Sequence, residues 1–228
     1  MQARDRLIVA ADLSSSAEIL ELADDLRGIA GALKIGLQAF VANGPDLVRQ
    51  VIAAGHRVFL DLKLHDIPNT VQHAVQEAQK LGIAMLTVHA AGGGAMLRAA
   101  RSDTTLILAV TVLTSLGDDD LDTIGFSSGA SESALRLAKL AAASGIRGVV
   151  ASPLEIRAIR ESCGPDMTIV TPGIRPSGSD AGDQRRTMTP AEALRAGADF
   201  IVVGRPITAA ADRRDAALRI VDQMERAG

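Results

Sequence analysis

Eight short apolar runs recur along this chain, and most of them are apolar at consecutive positions rather than at every second one. A strand with one buried face alternates apolar and polar residues, whereas a strand buried on both faces does not. That second pattern belongs to parallel sheets covered by helices. The runs are Leu7-Ile8-Val9-Ala10-Ala11-Asp12, Gly31-Ala32-Leu33-Lys34-Ile35-Gly36, Val58-Phe59-Leu60-Asp61-Leu62, Met85-Leu86-Thr87-Val88-His89, residues 106–112, Gly148-Val149-Val150-Ala151, residues 167–171 and Phe200-Ile201-Val202-Val203-Gly204.

Helical spacing follows them. Ile19, Leu22, Ala23 and Leu26 share one face, as do Val71, Ala74, Val75, Ala78 and Leu81, and later Ala217, Ile220, Val221 and Met224. Residues 46–53 and 131–143 supply further helices, while 115–130 read as a polar loop and Gly92-Gly93-Gly94 as a turn. Ser15-Ser16-Ala17-Glu18, Ser152-Pro153-Leu154-Glu155 and Thr189-Pro190-Ala191-Glu192 have the form of capping boxes, the last two with Pro at the first helical position. Eight strand–helix units in 228 residues predict an α/β fold, a closed (β/α)8 (TIM) barrel forming a single domain over 1–228. A doubly wound open sheet is the less favoured arrangement.

Charges interrupt the first three strands near their ends. Asp12, Lys34, Asp61 and Lys63 would all point inward at one rim if these strands are neighbours, in the order minus, plus, minus, plus. Such a set is locally neutral, so its members escape the desolvation penalty of isolated buried ions. In parallel α/β folds the carboxyl ends of the strands carry the chemistry. A lysine flanked by two carboxylates is kept as an ammonium, a poor nucleophile and a good proton donor. This argues against Schiff-base chemistry. Two ammonium groups interleaved with two carboxylates also leave no place for a dication, so no metal is expected.

The net charge of −3 gives no electrostatic footprint for nucleic acid. With no Trp or Tyr, and only Phe40, Phe59, Phe126 and Phe200 as aromatics, a nucleotide ligand would be held by hydrogen bonds and charge rather than by stacking. The single Cys163 is read as packing and fits a reducing compartment. No uninterrupted apolar stretch is long enough to span a membrane, and a cytoplasmic location is expected. Thr171-Pro172-Gly173-Ile174-Arg175 and Gly204-Arg205-Pro206-Ile207-Thr208 leave the last two strands, where barrels often bind phosphate; residues 173–188 are expected to act as a lid.

The motif Asp61-x-Lys63-x-x-Asp66 resembles the orotidine 5′-phosphate decarboxylase family. The resemblance extends to Asp12, Lys34, Thr114 in Val-Thr-Val-Leu-Thr-Ser, Pro172, Gln184 in Gly-Asp-Gln-Arg-Arg, and Gly204-Arg205. It implies cofactor-free decarboxylation of orotidine 5′-monophosphate to uridine 5′-monophosphate, the final step of pyrimidine synthesis. Asp61 would face the substrate carboxylate, and Lys63 would stabilise and protonate the C6 carbanion. Asp12 and Lys34 would hold the ribose, Thr114 the pyrimidine edge, and Gln184 and Arg205 the phosphate. The resemblance also implies a homodimer in which Asp66, Ile67 and Thr70 reach the neighbouring site. It assigns no chemistry to His65 or His89. A magnesium-dependent sugar-phosphate decarboxylase or lyase on the same barrel, with an acid where Lys34 stands, is one alternative; a non-catalytic phosphate-binding barrel is another.

Overall fold

In the computed structural model, residues 1–176 and 187–226 are described. Eight parallel strands pair in sequence order and close on themselves: β1 (Leu7–Ala10), β2 (Ala32–Gly36), β3 (Val58–Leu64), β4 (Met85–His89), β5 (Leu106–Val110), β6 (Gly148–Val150), β7 (Thr168–Thr171) and β8 (Phe200–Val203). β8 returns to β1 through Leu7↔Ile201, Ile8↔Val202 and Val9↔Val203. The expected closed (β/α)8 barrel is thus the observed fold, and the open sheet is not.

The doubly apolar strands explain the two cores. Ile8, Ala10, Ala32, Phe59, Met85, Leu108, Val170, Phe200 and Val202 fill the barrel interior. Their sequence neighbours, such as Leu7, Val9, Leu33, Leu60 and Leu86, face outward into the layer of helices. Three of the inward rows end in charge: Ala10 leads to Asp12, Ala32 to Lys34 and Phe59 to Asp61.

The helices begin where the caps indicated. Ser15 accepts the Glu18 N–H ahead of α1 (Ser16–Asp25), and Pro68 opens α3 (Pro68–Gln79). Thr189 and Glu192 exchange bonds as a full capping box before α8 (Pro190–Ala196). Ser152 and Glu155 do the same, but their box opens a 3-10 turn, Pro153–Glu155, that runs into α7 (Ile156–Cys163). Gly93 and Gly94, read as part of a turn, instead open α4 (Gly93–Ala99), and two further boundaries differ from expectation. The second helix, α2 (Leu37–Ala53), starts directly after β2 and is kinked at Gly44, whose φ of 65° leaves the helical region just before Pro45. The stretch read as a loop contains α5 (Asp118–Thr123), opened by Asp118, Asp119 and Asp120, which suit the positive end of a helix. The remaining helices are α6 (Ala130–Ala143), α9 (Arg205–Thr208) and α10 (Arg213–Glu225). Among the described residues, no helix is long and apolar enough to cross a membrane.

At the amino end of the barrel, the Arg160 guanidinium ties α7 to β7 and β8. It donates to the carbonyls of Gly164 (3.0 Å), Met167 (2.7 Å) and Gly197 (2.9 Å) and to Asp199 Oδ2 (2.6 Å), which also accepts the Ile169 N–H (2.8 Å). A single bond to a charged group contributes about 1.5–3 kcal/mol, and bonds sharing one partly exposed side chain add to much less than their sum. Arg160→Ala should therefore lower the unfolding free energy by roughly 2–4 kcal/mol in a denaturant titration. Amide chemical shifts at the opposite rim should stay unchanged.

Candidate active site

The four inward charges meet at the carboxyl end of β1 to β3. Lys34 Nζ lies 2.9 Å from Asp12 Oδ1 and 3.5 Å from Asp61 Oδ2. Lys63 Nζ donates to both oxygens of Asp61, each at 2.9 Å. The chain of alternating charge is therefore continuous. Lys34 and Asp61 are each only 9% exposed, and an unpaired ion at that depth would cost several kcal/mol. Burial pushes the Asp61 carboxyl up, but Lys34 and Lys63, with hydrogen bonds from Lys63 and Thr87, outweigh it. The net result lies below the ordinary aspartate value.

Gly36 makes room for this packing. A Cβ there would stand 2.8 Å from Asp12 Oδ1 and 3.0 Å from Lys34 Nζ. Its φ of −90° is open to any residue, so the need for glycine at this position is steric rather than conformational.

β3 does not remain a regular strand to its end. The ladder pairs Leu60 with Leu86 and then Leu64 with Val88, so Asp61, Leu62 and Lys63 stand opposite Thr87 alone. Lys63 has φ 52°, the one positive value among the described non-glycine residues. The simple alternation expected for 58–63 is therefore broken by a bulge. Asp61 and Lys63 still share the rim because the bulge turns the lysine back over the carboxylate.

A cavity of about 330 Å³ opens above this network. Asp12, Lys34, Asp61 and Lys63 line it together with Thr114, Pro172, Gly204 and Arg205, and β8 brings Gly204 beside β1. Ala10, Val110, Val150 and Val202 contribute apolar wall, which excludes water and strengthens the charges beside it. Eight of the predicted residues are thus brought together. Asp66, Ile67 and Thr70 are not among them: all three are exposed at the entry to α3, and Asp66 Oδ1 accepts the Ile67 N–H at 2.6 Å. Gln184 and most of the expected lid lie outside the described residues. The base of that segment is closed by the Arg175 N–H donating to the Met188 carbonyl at 2.9 Å.

Two side chains were missed by the sequence reading. Arg175 lines the cavity, although in the sequence it was one residue of a polar loop. Thr87 is wholly buried, accepts the Lys63 N–H at 2.8 Å and donates to Asp61 Oδ1 at 2.9 Å. Its signal was visible: in β4 it is the polar residue on the inward row begun by Met85. His65 and His89 pack ring against ring, centroids 5.5 Å apart, and burial chiefly, then His65 and Lys63, holds His89 below its ordinary value.

Comparison with known proteins places this geometry in a family. Residues 5–220 match the family described as Orotidine 5'-phosphate decarboxylase / HUMPS. The orotidine 5'-phosphate decarboxylase of Moorella thermoacetica is 52% identical, over 99% of this chain and 94% of its own. That of Sodalis glossinidius is 47% identical, over 100% and 93%. The crystal structure of the Lactobacillus acidophilus enzyme superimposes with a TM-score of 0.85 at 37% identity, covering 96% of this chain and 98% of that one.

The depressed Asp61 value has a measurable consequence. Its stabilising contribution is present above the unfolded carboxylate pKa and is lost as pH falls through the lower folded value. The stability gap between the protein and Asp61→Asn should be constant from about pH 5 to 7 and narrow below about pH 4. A carboxyl ¹³C titration of Asp61 should show a midpoint below 3.8.

Proposed function

Because the chain belongs to the orotidine 5′-phosphate decarboxylase / HUMPS family, we propose that its charged rim converts orotidine 5′-monophosphate to uridine 5′-monophosphate and carbon dioxide in pyrimidine synthesis. The observation that carries this reading is the Lys63 ammonium seated on both oxygens of Asp61, at the wall of a cavity that also holds Arg205. A carboxylate-bearing base set over that pair would put its own negative charge against Asp61. Loss of carbon dioxide removes that charge, and the electron pair left at C6 faces Lys63 instead. The interaction therefore improves on the way to the transition state, which is the requirement for catalysis.

In the step itself the bond from C6 to the carboxyl carbon breaks and its electrons stay at C6. Lys63 Nζ then gives that carbon a proton and recovers one from solvent. Asp12 and Lys34 serve the ribose hydroxyls, Thr114 the pyrimidine edge, and Arg205 and Gln184 the phosphate, with Pro172 and Gly204 shaping the wall. Lys34 also weighs against the magnesium-dependent alternative. It brings a cation to a spot where that chemistry needs an acid, and among the described residues no group of three His, Cys, Asp or Glu is placed to hold a metal.

A homodimer with shared sites completes the proposal. Ile67 is 66% exposed beside Asp66, and Leu37 and Val41, at 52% and 80%, lie at the start of α2 on the same rim. Apolar side chains so placed fit a surface covered by a second copy. Asp66, Ile67 and Thr70 would then enter the neighbour's cavity.

Two experiments test this reading. Lys63→Ala should lower turnover, followed by absorbance, by about 10³-fold or more while a substrate analogue still binds; appreciable residual activity would place the proton donor elsewhere. Lys63→Ala and Asp66→Ala should each be inactive, yet equal amounts refolded together should recover about a quarter of the activity, since about half the dimers would carry one intact site. Reassorted dimers that stay as inactive as their parents would show that Asp66 serves its own chain.

A further inference from the structure

Thr87 is a hydroxyl in an apolar barrel interior, where an unpaired polar group is costly. Both of its hydrogen-bonding capacities are used, and both within the bulge of β3. It accepts the backbone N–H of Lys63 and donates to Asp61 Oδ1. The N–H it receives is one that the shifted register has pulled out of the ladder between β3 and β4. The residue carrying that N–H is the one held at a positive φ, a conformation disfavoured for a side-chain-bearing residue unless its surroundings impose it.

One hydroxyl therefore fixes two things that must agree: the backbone turn that aims the lysine side chain, and the rotation of the carboxylate on which the ammonium rests. We propose that Thr87 is a positioning residue for the reaction, acting through Asp61 and Lys63 without touching the substrate. This rests on the decarboxylase reading of the same site.

The idea separates Thr87 from ordinary core packing. Valine matches threonine in shape but neither accepts the Lys63 N–H nor donates to Asp61, whereas serine keeps both bonds. Thr87→Val should lower kcat for orotidine 5′-monophosphate by at least about tenfold with KM changed less than about threefold, because the lost alignment matters most in the transition state. Thr87→Ser should return kcat to within about threefold of the parent protein.

A second readout does not need turnover. Asp61 loses a donor in Thr87→Val, so its carboxyl ¹³C titration midpoint should move to higher pH than in the parent, and Thr87→Ser should restore it. If Thr87→Val keeps its kcat and its Asp61 midpoint and loses only thermal stability, Thr87 is packing and the proposal fails. It fails equally if serine behaves like valine. Should Thr87→Val not fold, Thr87→Ser alone decides: a serine variant with lowered kcat and a displaced Asp61 midpoint despite its hydroxyl overturns the assignment, and a parent-like one supports it. A parent protein that does not turn over the nucleotide would sink the decarboxylase reading, while the Asp61 titrations would still decide whether Thr87 holds that carboxylate.

Discussion

The site depends on one carboxylate. Asp61 takes both hydrogen bonds of the Lys63 ammonium, a third from Thr87, and lies 3.5 Å from Lys34. Each partner favours its ionised form, and together they outweigh the burial that opposes it. Removing either lysine would leave the buried set with one negative charge in excess, and removing the Thr87 hydroxyl would cost the carboxylate a donor. The converse also holds: Lys34 and Lys63 are tolerated at that depth because Asp61 and Asp12 lie between and beside them.

A closed parallel barrel is well suited to hold such a set. Its interior is filled by Phe59, Met85, Leu108 and Phe200, so the charges rest on a packed floor and face a single opening. Neighbouring strands bring Asp12, Lys34 and Asp61 together from positions far apart in the chain, Lys34 and Asp61 from within β2 and β3 and Asp12 two residues past the end of β1. The bulge at the end of β3 then adds Lys63 by a local departure from strand geometry. The ends of β7 and β8 complete the mouth with Pro172, Gly204 and Arg205, β8 closing the ring beside β1.

Much of this was legible in the sequence, for reasons that can be named. The strands were visible because burial on both faces produces unbroken apolar runs, and the closed fold followed from their number. Asp12, Lys34 and Asp61 were visible as charges in such runs, and their inward direction followed from alternation along regular strands. What escaped depends on contacts between strands. Thr87 looked like one more β-branched residue until the register of β4 against β3 set it beside Asp61. The left-handed turn at Lys63 leaves no mark in composition, because lysine carries no preference for it. The part of α2 from Leu37 was hidden because the non-helical Gly44 ahead of Pro45 sets it apart from the helical stretch visible from Asp46.

Under the proposed reading, four alternating charges decarboxylate the nucleotide with no metal among them. The most direct measurement is proton NMR of orotidine 5′-monophosphate incubated with the protein in D₂O containing excess chelator. Metal-free decarboxylation should give carbon dioxide and uridine 5′-monophosphate deuterated at C6, at the rate seen without chelator. Substrate left unchanged, or turned over only once magnesium is restored, would contradict it.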